Sequence, residues 1–98
     1  MIETFPKVNS DDVVLTRAEL STGVMLDDNL KYATTPTQKV FSIFKNINIA
    51  KDHALKLVSD NKWIECYLYD SNEKLLVRIT RDGIENFLSL GTVDNEPG

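Results

Sequence analysis

The chain has 98 residues, 42% of them apolar, and a formal net charge of −4. That is room for one domain with one core, too apolar for a disordered chain and too acidic for blanket attraction to phosphate. No apolar run approaches the ~18–20 residues that span a bilayer, and one cysteine, Cys66, excludes an internal disulfide framework.

The charge is unevenly spread. Residues 1–28 carry two basic and six acidic side chains, residues 29–81 nine and five, and residues 82–98 none and four. A basic middle between acidic ends is either a nucleic-acid surface framed by acidic termini or an ordinary surface with uneven charge. Met1-Ile-Glu-Thr-Phe5 has no basic region leading into an apolar stretch, so it does not read as a secretory signal. A reducing, cytoplasmic location is expected.

Residues 1–11 are polar, contain Pro6 and read as a flexible arm ahead of a domain over 12–91. Val13-Val-Leu15 is short and β-branched, which predicts a brief strand. Thr16-Arg-Ala-Glu19 has capping-box spacing, in which the threonine oxygen and the glutamate each satisfy an orphan N–H. With Gly23 as an interruption, the region 16–33 is expected to be helical. Thr34-Thr-Pro36 marks a boundary: Thr35 as cap, Pro36 at the first helical position and Gln38 completing a second box. Val40, Ile43, Phe44 and Ile47 recur at i, i+3, i+4, i+7 and predict a helix over 36–46. A further helix is expected over 49–60, with Ala50, Ala54, Leu57 and Val58 inward.

Trp63 to Tyr69 alternates as a strand, with Ile64, Cys66 and Leu68 on one face and Trp63, Glu65, Tyr67 and Tyr69 on the other. Asp70 to Glu73 is turn chemistry, and Leu75, Val77 and Ile79 alternate on a return strand. Thr80-Arg-Asp-Gly83 is expected to open a last helix that buries Ile84, Phe87 and Leu88 and stops at Gly91. Residues 92–98 read as a tail.

Candidate chemistry is sparse. His53 and Cys66 are the soft metal ligands, single and thirteen residues apart, without a zinc-type spacing. Cys66 alternates with apolar neighbours and reads as a small core residue. One histidine and no nucleophile elbow, phosphate loop or paired-carboxylate motif point away from an enzyme, and no cofactor is expected. Trp63, Tyr67 and Tyr69 are suited to stacking on bases or on a partner protein, or to packing against a terminal segment.

The stretch Val58, Asn61, Lys62, Trp63 and Ile64, the tip Asp70 to Lys74, and Leu76, Val77, Ile79, Thr80 and Gly83 resemble the winged helix-turn-helix superfamily. The likeness is to the wing and following helix of MarR-type repressors, in shortened or degenerate form. It covers about a third of the chain. The turn Asn46-Ile-Asn48 is short and lacks glycine, and Lys62 stands where the family has glycine before the wing.

The resemblance implies an α+β winged-helix domain: a three-helix core, a two- or three-stranded antiparallel sheet and a C-terminal helix. It implies a DNA-binding transcriptional regulator, possible as a homodimer, with helix 49–60 in the major groove and hairpin 63–80 as wing. Lys51, Lys56 and Ser59 would then face double-stranded DNA, Asn72 and Lys74 would reach from the wing tip, and Lys45 and Lys62 would contact phosphates. The alternative is an acidic protein–protein interaction module without DNA binding, an adaptor or a viral or mobile-element factor directed at host machinery. Asp52 among the lysines favours that alternative. Convergence of Lys51, Lys56, Lys62 and Lys74 on one surface favours DNA; an exposed aromatic patch favours a protein.

Overall fold

The computed structural model describes residues 1–87. Six strands and one helix follow in the order β1 (Val13–Glu19), β2 (Met25–Leu26), β3 (Ser42–Phe44), α1 (Ile47–Asp60), β4 (Ile64–Tyr69), β5 (Leu75–Thr80) and β6 (Gly83–Asn86). All pairings are antiparallel and form one sheet in the order β2-β1-β4-β5-β6. β3 also pairs with β1, through Val13↔Phe44 to Leu15↔Ser42, on the edge that β2 occupies further along.

β1 is the centre of the molecule. Its residues Val13 to Ala18 are all buried, on both faces. On the face shared with α1, Leu15 lies opposite Leu68 and Arg17 opposite Cys66. On the other face, Val14, Thr16 and Ala18 lie opposite Tyr69, Tyr67 and Glu65. Small side chains on β1 thus sit beside long ones on β4, the pairing by which an antiparallel sheet covers itself. Phe5 of the N-terminal segment extends that cover, edge-on to Tyr69 at 6.0 Å and to Phe41 at 5.4 Å. Glu3 ties the same segment down, its Oε1 accepting from the N–H groups of Val40 and Phe41.

α1 closes the opposite face. Ala50, Ala54 and Val58 are its buried residues, and they meet Leu15, Ile64, Cys66, Leu68, Val77 and Ile79 in one core. The inward stripe is as the spacing requires, with Leu57 partly buried beside it. The helix starts at Ile47, two residues before the sequence expectation, because Asn46 caps it: its Oδ1 accepts from the Ile49 N–H at 3.0 Å. Alanines at the contact let the helix backbone approach the sheet closely.

A winged helix is not what the chain forms: the three-helix core and the C-terminal helix are absent among the described residues, replaced by sheet. The capping-box pattern at Thr16 fails because the N–H groups around it are not orphans. They belong to the β1–β4 ladder, and the β-branched run Val13-Val-Leu-Thr16 fits a pleated, buried surface. Beyond it, Gly23 takes φ 77° in a tight turn, β2 follows, and Leu30 takes φ 62°, so 16–33 contains no helix.

The expected helix 36–46 is a loop followed by β3. Gln38 makes the reach-back bond of the box to Thr35, but no helix follows it. Its Oε1 accepts from the Thr34 and Thr35 N–H groups while its Nε2 donates to Asp27. Val40 is fully buried while Ile43 is 48% exposed, so the i, i+3, i+4, i+7 pattern does not share one face.

The expected last helix is β6. Thr80 pairs with Gly83 across the two-residue connection Arg81-Asp82, and the Asp82 N–H bonds the Thr80 hydroxyl. Arg81 and Asp82 keep negative φ and Gly83, at φ 133°, takes the conformation that turns the chain back into a strand, so the glycine ends the turn and does not extend a capped helix. Leu88, the stop at Gly91 and the tail 92–98 lie outside the described residues.

Candidate functional site

The residues read from sequence as DNA contacts fall on different parts of the molecule. Lys45 precedes α1, Lys51, Lys56 and Ser59 lie on it, and Lys62 follows it. Asn72 and Lys74 lie in the β4–β5 turn, which Asp70 builds by accepting from both of their N–H groups. Because Tyr69 pairs with Val14 and Phe44 with Val13, that turn shares an end of the sheet with the start of α1. Lys62 lies at the other end of β4, a strand of six residues and so ~20 Å away. Asp52 stands one helical turn before Lys56, and Glu73 adjoins Lys74, so acids interrupt the basic positions.

The titratable groups with chemical potential are built into the structure. The Cys66 thiol is buried opposite Arg17, and burial pushes its pKa up to about 12, which removes the thiolate a nucleophile needs. His53 lies with its ring 5.0 Å from that of Phe44, and partial burial, then the charge of Arg17, lowers its pKa. Glu65, nearly buried, is held by Arg78 through Nη2 at 2.9 Å and Nε at 3.0 Å, and Arg78 also reaches Glu85 at 3.2 Å. No group of three potential metal ligands exists among the described residues.

The surface that stands out is the end of the sheet where β1 stops and β4 begins. Asn61 caps α1 by donating to the Leu57 carbonyl, and the chain turns at once into β4. Ile64 points into the core, while Trp63 ahead of it is left 44% exposed. The main chain of Trp63 is fixed, its carbonyl accepting from the Leu20 N–H at 2.8 Å.

Tyr32 is 54% exposed nearby. Its backbone is held by the bridge Leu26↔Tyr32, and its hydroxyl donates to the Glu19 carboxylate at 3.0 Å. Glu19 also accepts from the Thr22 hydroxyl at 2.6 Å, which occupies its oxygens while leaving its negative charge in place.

Two open hollows flank the indole. One, of about 400 Å³, lies between Trp63, Tyr32, Leu30, Lys31 and Glu19. The other, of about 280 Å³, lies between Trp63, Leu20, Ser21, Glu19 and Arg81. Arg81 continues into a third hollow with Lys62 and Leu55, and Leu55 is 39% exposed.

Of these residues, Trp63 stands out in the sequence by its type and Lys62 by its charge. Tyr32, Leu30, Leu20 and Arg81 were missed, because their convergence depends on β1 pairing with β4, a contact between residues some 45–55 positions apart. The aromatic set Trp63, Tyr67 and Tyr69 is divided. Tyr67 and Tyr69 stack on each other at 6.5 Å, with Phe5 against Tyr69, while Trp63 stands apart.

No helix of the described residues is long and apolar enough to cross a membrane. Compared with known proteins, the chain matches no family model, no curated protein sequence and no solved structure.

Proposed function

We propose that this chain is a protein-binding module that takes its partner across Trp63, at the end of the sheet formed by β1, β4 and the turn after β5. The observation that carries the reading is the exposed indole on a fixed backbone, with an open hollow of mixed apolar and charged lining on each side. Tryptophan, tyrosine and arginine are the residues most often found to dominate binding energy at protein interfaces, and Trp63, Tyr32 and Arg81 supply one of each. Their backbones are ordered before a partner arrives, which lowers the entropy lost on binding. The hollows are shallow and open, which suits the side chains of another chain better than an enclosed small molecule. The scatter of lysines over two ends of the molecule gives no continuous track for a duplex.

The test is affinity capture from the source cells with the wild-type chain beside Trp63→Ala. The expected result is a protein retained by the wild type and lost with the variant, at unchanged melting temperature. Equal retention by both, or retention of nucleic acid alone, rejects the reading.

A further inference from the structure

We infer that the segment bound across Trp63 is acidic and carries an apolar anchor side chain. The inference rests on the protein-binding reading and names the partner's chemistry. The hollows beside Trp63 are lined by Lys31 on one side and Arg81 on the other, and Arg81 shares the next hollow with Lys62. Among the described residues the salt bridges are Arg78 to Glu65 and Arg78 to Glu85, so none of these three cations is in one. The acid within the hollows is Glu19, and its carboxylate already accepts from Tyr32 and Thr22.

Asp27, Asp28, Asp60 and Asp82 are the other acids near in sequence. Asp27 lies close enough to Lys31 for their charges to attract, and its oxygens accept from the Asn29 and Lys31 N–H groups and from Gln38; neither Asp27 nor Asp28 lines a hollow beside Trp63. Asp82 lines a separate hollow beyond the β5–β6 turn, with Arg78 and Glu85. Asp60 is exposed at the end of α1 and lines none of the hollows around Trp63. Along the three hollows Lys31, Arg81 and Lys62 outnumber Glu19, so a chain with a net charge of −4 presents its exposed tryptophan beside a local excess of positive charge.

That juxtaposition sets the complement. Leu20, Leu30 and the indole remove an apolar side chain from water, and the cations around them select carboxylates on either side of it. A basic segment meets Lys31 on one side of the indole and Arg81 on the other, with Glu19 as its one counter-charge in those hollows.

The experiment is selection of a random twelve-residue displayed peptide library on the folded full chain, in parallel with a Lys62→Glu/Arg81→Glu variant. Both side chains are exposed, and Lys31→Ala serves as a second variant if the first loses its cooperative melt. Trp63 is the single tryptophan, so its emission reports occupancy by any selected peptide lacking tryptophan.

The wild type is expected to enrich acidic sequences with an aromatic or aliphatic residue. Such a peptide should shift Trp63 emission to the blue, bind at least tenfold more weakly to the charge-reversed variant and weaken as salt rises. Basic or neutral consensus sequences, no enrichment, or equal affinity for the variant overturn the inference. A captured partner that depends on Trp63 but binds through a non-acidic segment overturns the charge argument and leaves the protein-binding reading in place. Capture independent of Trp63 removes both.

Discussion

Arg17 is the side chain on which the interior depends most. It is 2% exposed, and its guanidinium donates to the Asp27 carbonyl, the Val40 carbonyl and the Ser42 hydroxyl. Desolvation lowers its pKa, offset in part by the surrounding acids. It gathers β1, the turn after β2 and the start of β3 around one group. Lysine carries the same charge on a single nitrogen and does not span three acceptors set in a fork. Arg17→Lys is expected to cost about 2 kcal/mol and Arg17→Met about 3 kcal/mol, from hydrogen bonds to a charged group and acceptors left unsatisfied. Urea denaturation measures both, and a loss under about 0.5 kcal/mol contradicts the role. Thr16, one residue earlier, faces the other way, and its buried hydroxyl makes no well-formed hydrogen bond among the described residues, although it sits close enough to the Tyr69 hydroxyl to pull that group's pKa down against the effect of burial. Thr16→Val keeps the shape and removes the unsatisfied group, so a gain of about 1 kcal/mol is expected in the same assay.

The loop between β2 and β3 and the turn between β5 and β6 are the elements most open to test. Asp27 organises the loop: Oδ1 accepts from the Asn29 and Lys31 N–H groups, and Oδ2 from Gln38 Nε2 at 2.8 Å. The Gln38 hydrogen bond first, and the backbone N–H groups after it, hold the carboxyl below its usual pKa. A lowered pKa means that the unfolded chain binds the proton more readily. The stabilisation is therefore complete above the unfolded value of about 3.9 and is lost as pH falls through the lower folded value. Denaturation from pH 6 to 2 should show the wild type losing stability across that window, with Asp27→Asn losing less. In the other turn, Gly83 takes φ 133° with nothing near its missing Cβ. Gly83→Ala meets no steric obstacle, so its expected cost of about 1 kcal/mol is backbone strain alone. An unchanged melting temperature removes that account.

At the scale of the whole molecule, stability is graded outward from the β1–β4 ladder. β1 has neighbours on both edges and cover on both faces, whereas every residue of β6 is exposed and β6 pairs with β5. Hydrogen exchange should find the slowest amides in β1 and β4 and faster exchange in β6 and in the exposed turn 21–24; equal protection of β6 and β1 contradicts the gradient. The same ladder explains what could be read in advance. The hairpin of β4 and β5, its turn and the inward stripe of α1 are local, and periodicity over a few residues exposes them. β1, β3 and β6 are not legible in that way because each carries a helix signature whose value depends on context. Thr16 and Glu19 have the spacing of a cap, and Thr80 precedes Gly83 as a cap would. Their N–H groups are instead taken by strands, one of them nearly fifty residues away. The site at Trp63 inherits the difficulty, since only the tryptophan and a lysine advertise it before the strands are paired.

The acceptors of Arg17 bear on how this fold would record itself in related chains. Two of its three partners are main-chain carbonyls, which are present whatever side chain occupies positions 27 and 40. The clamp is therefore written at one position only. Substitution at Val40 that keeps the volume leaves the guanidinium bond intact, and no compensating change at residue 17 is called for. Correlated substitution between paired positions should thus be weak at the contact that holds the long loop to the sheet. An invariant arginine inside an apolar strand, without a covarying acid, would be its trace.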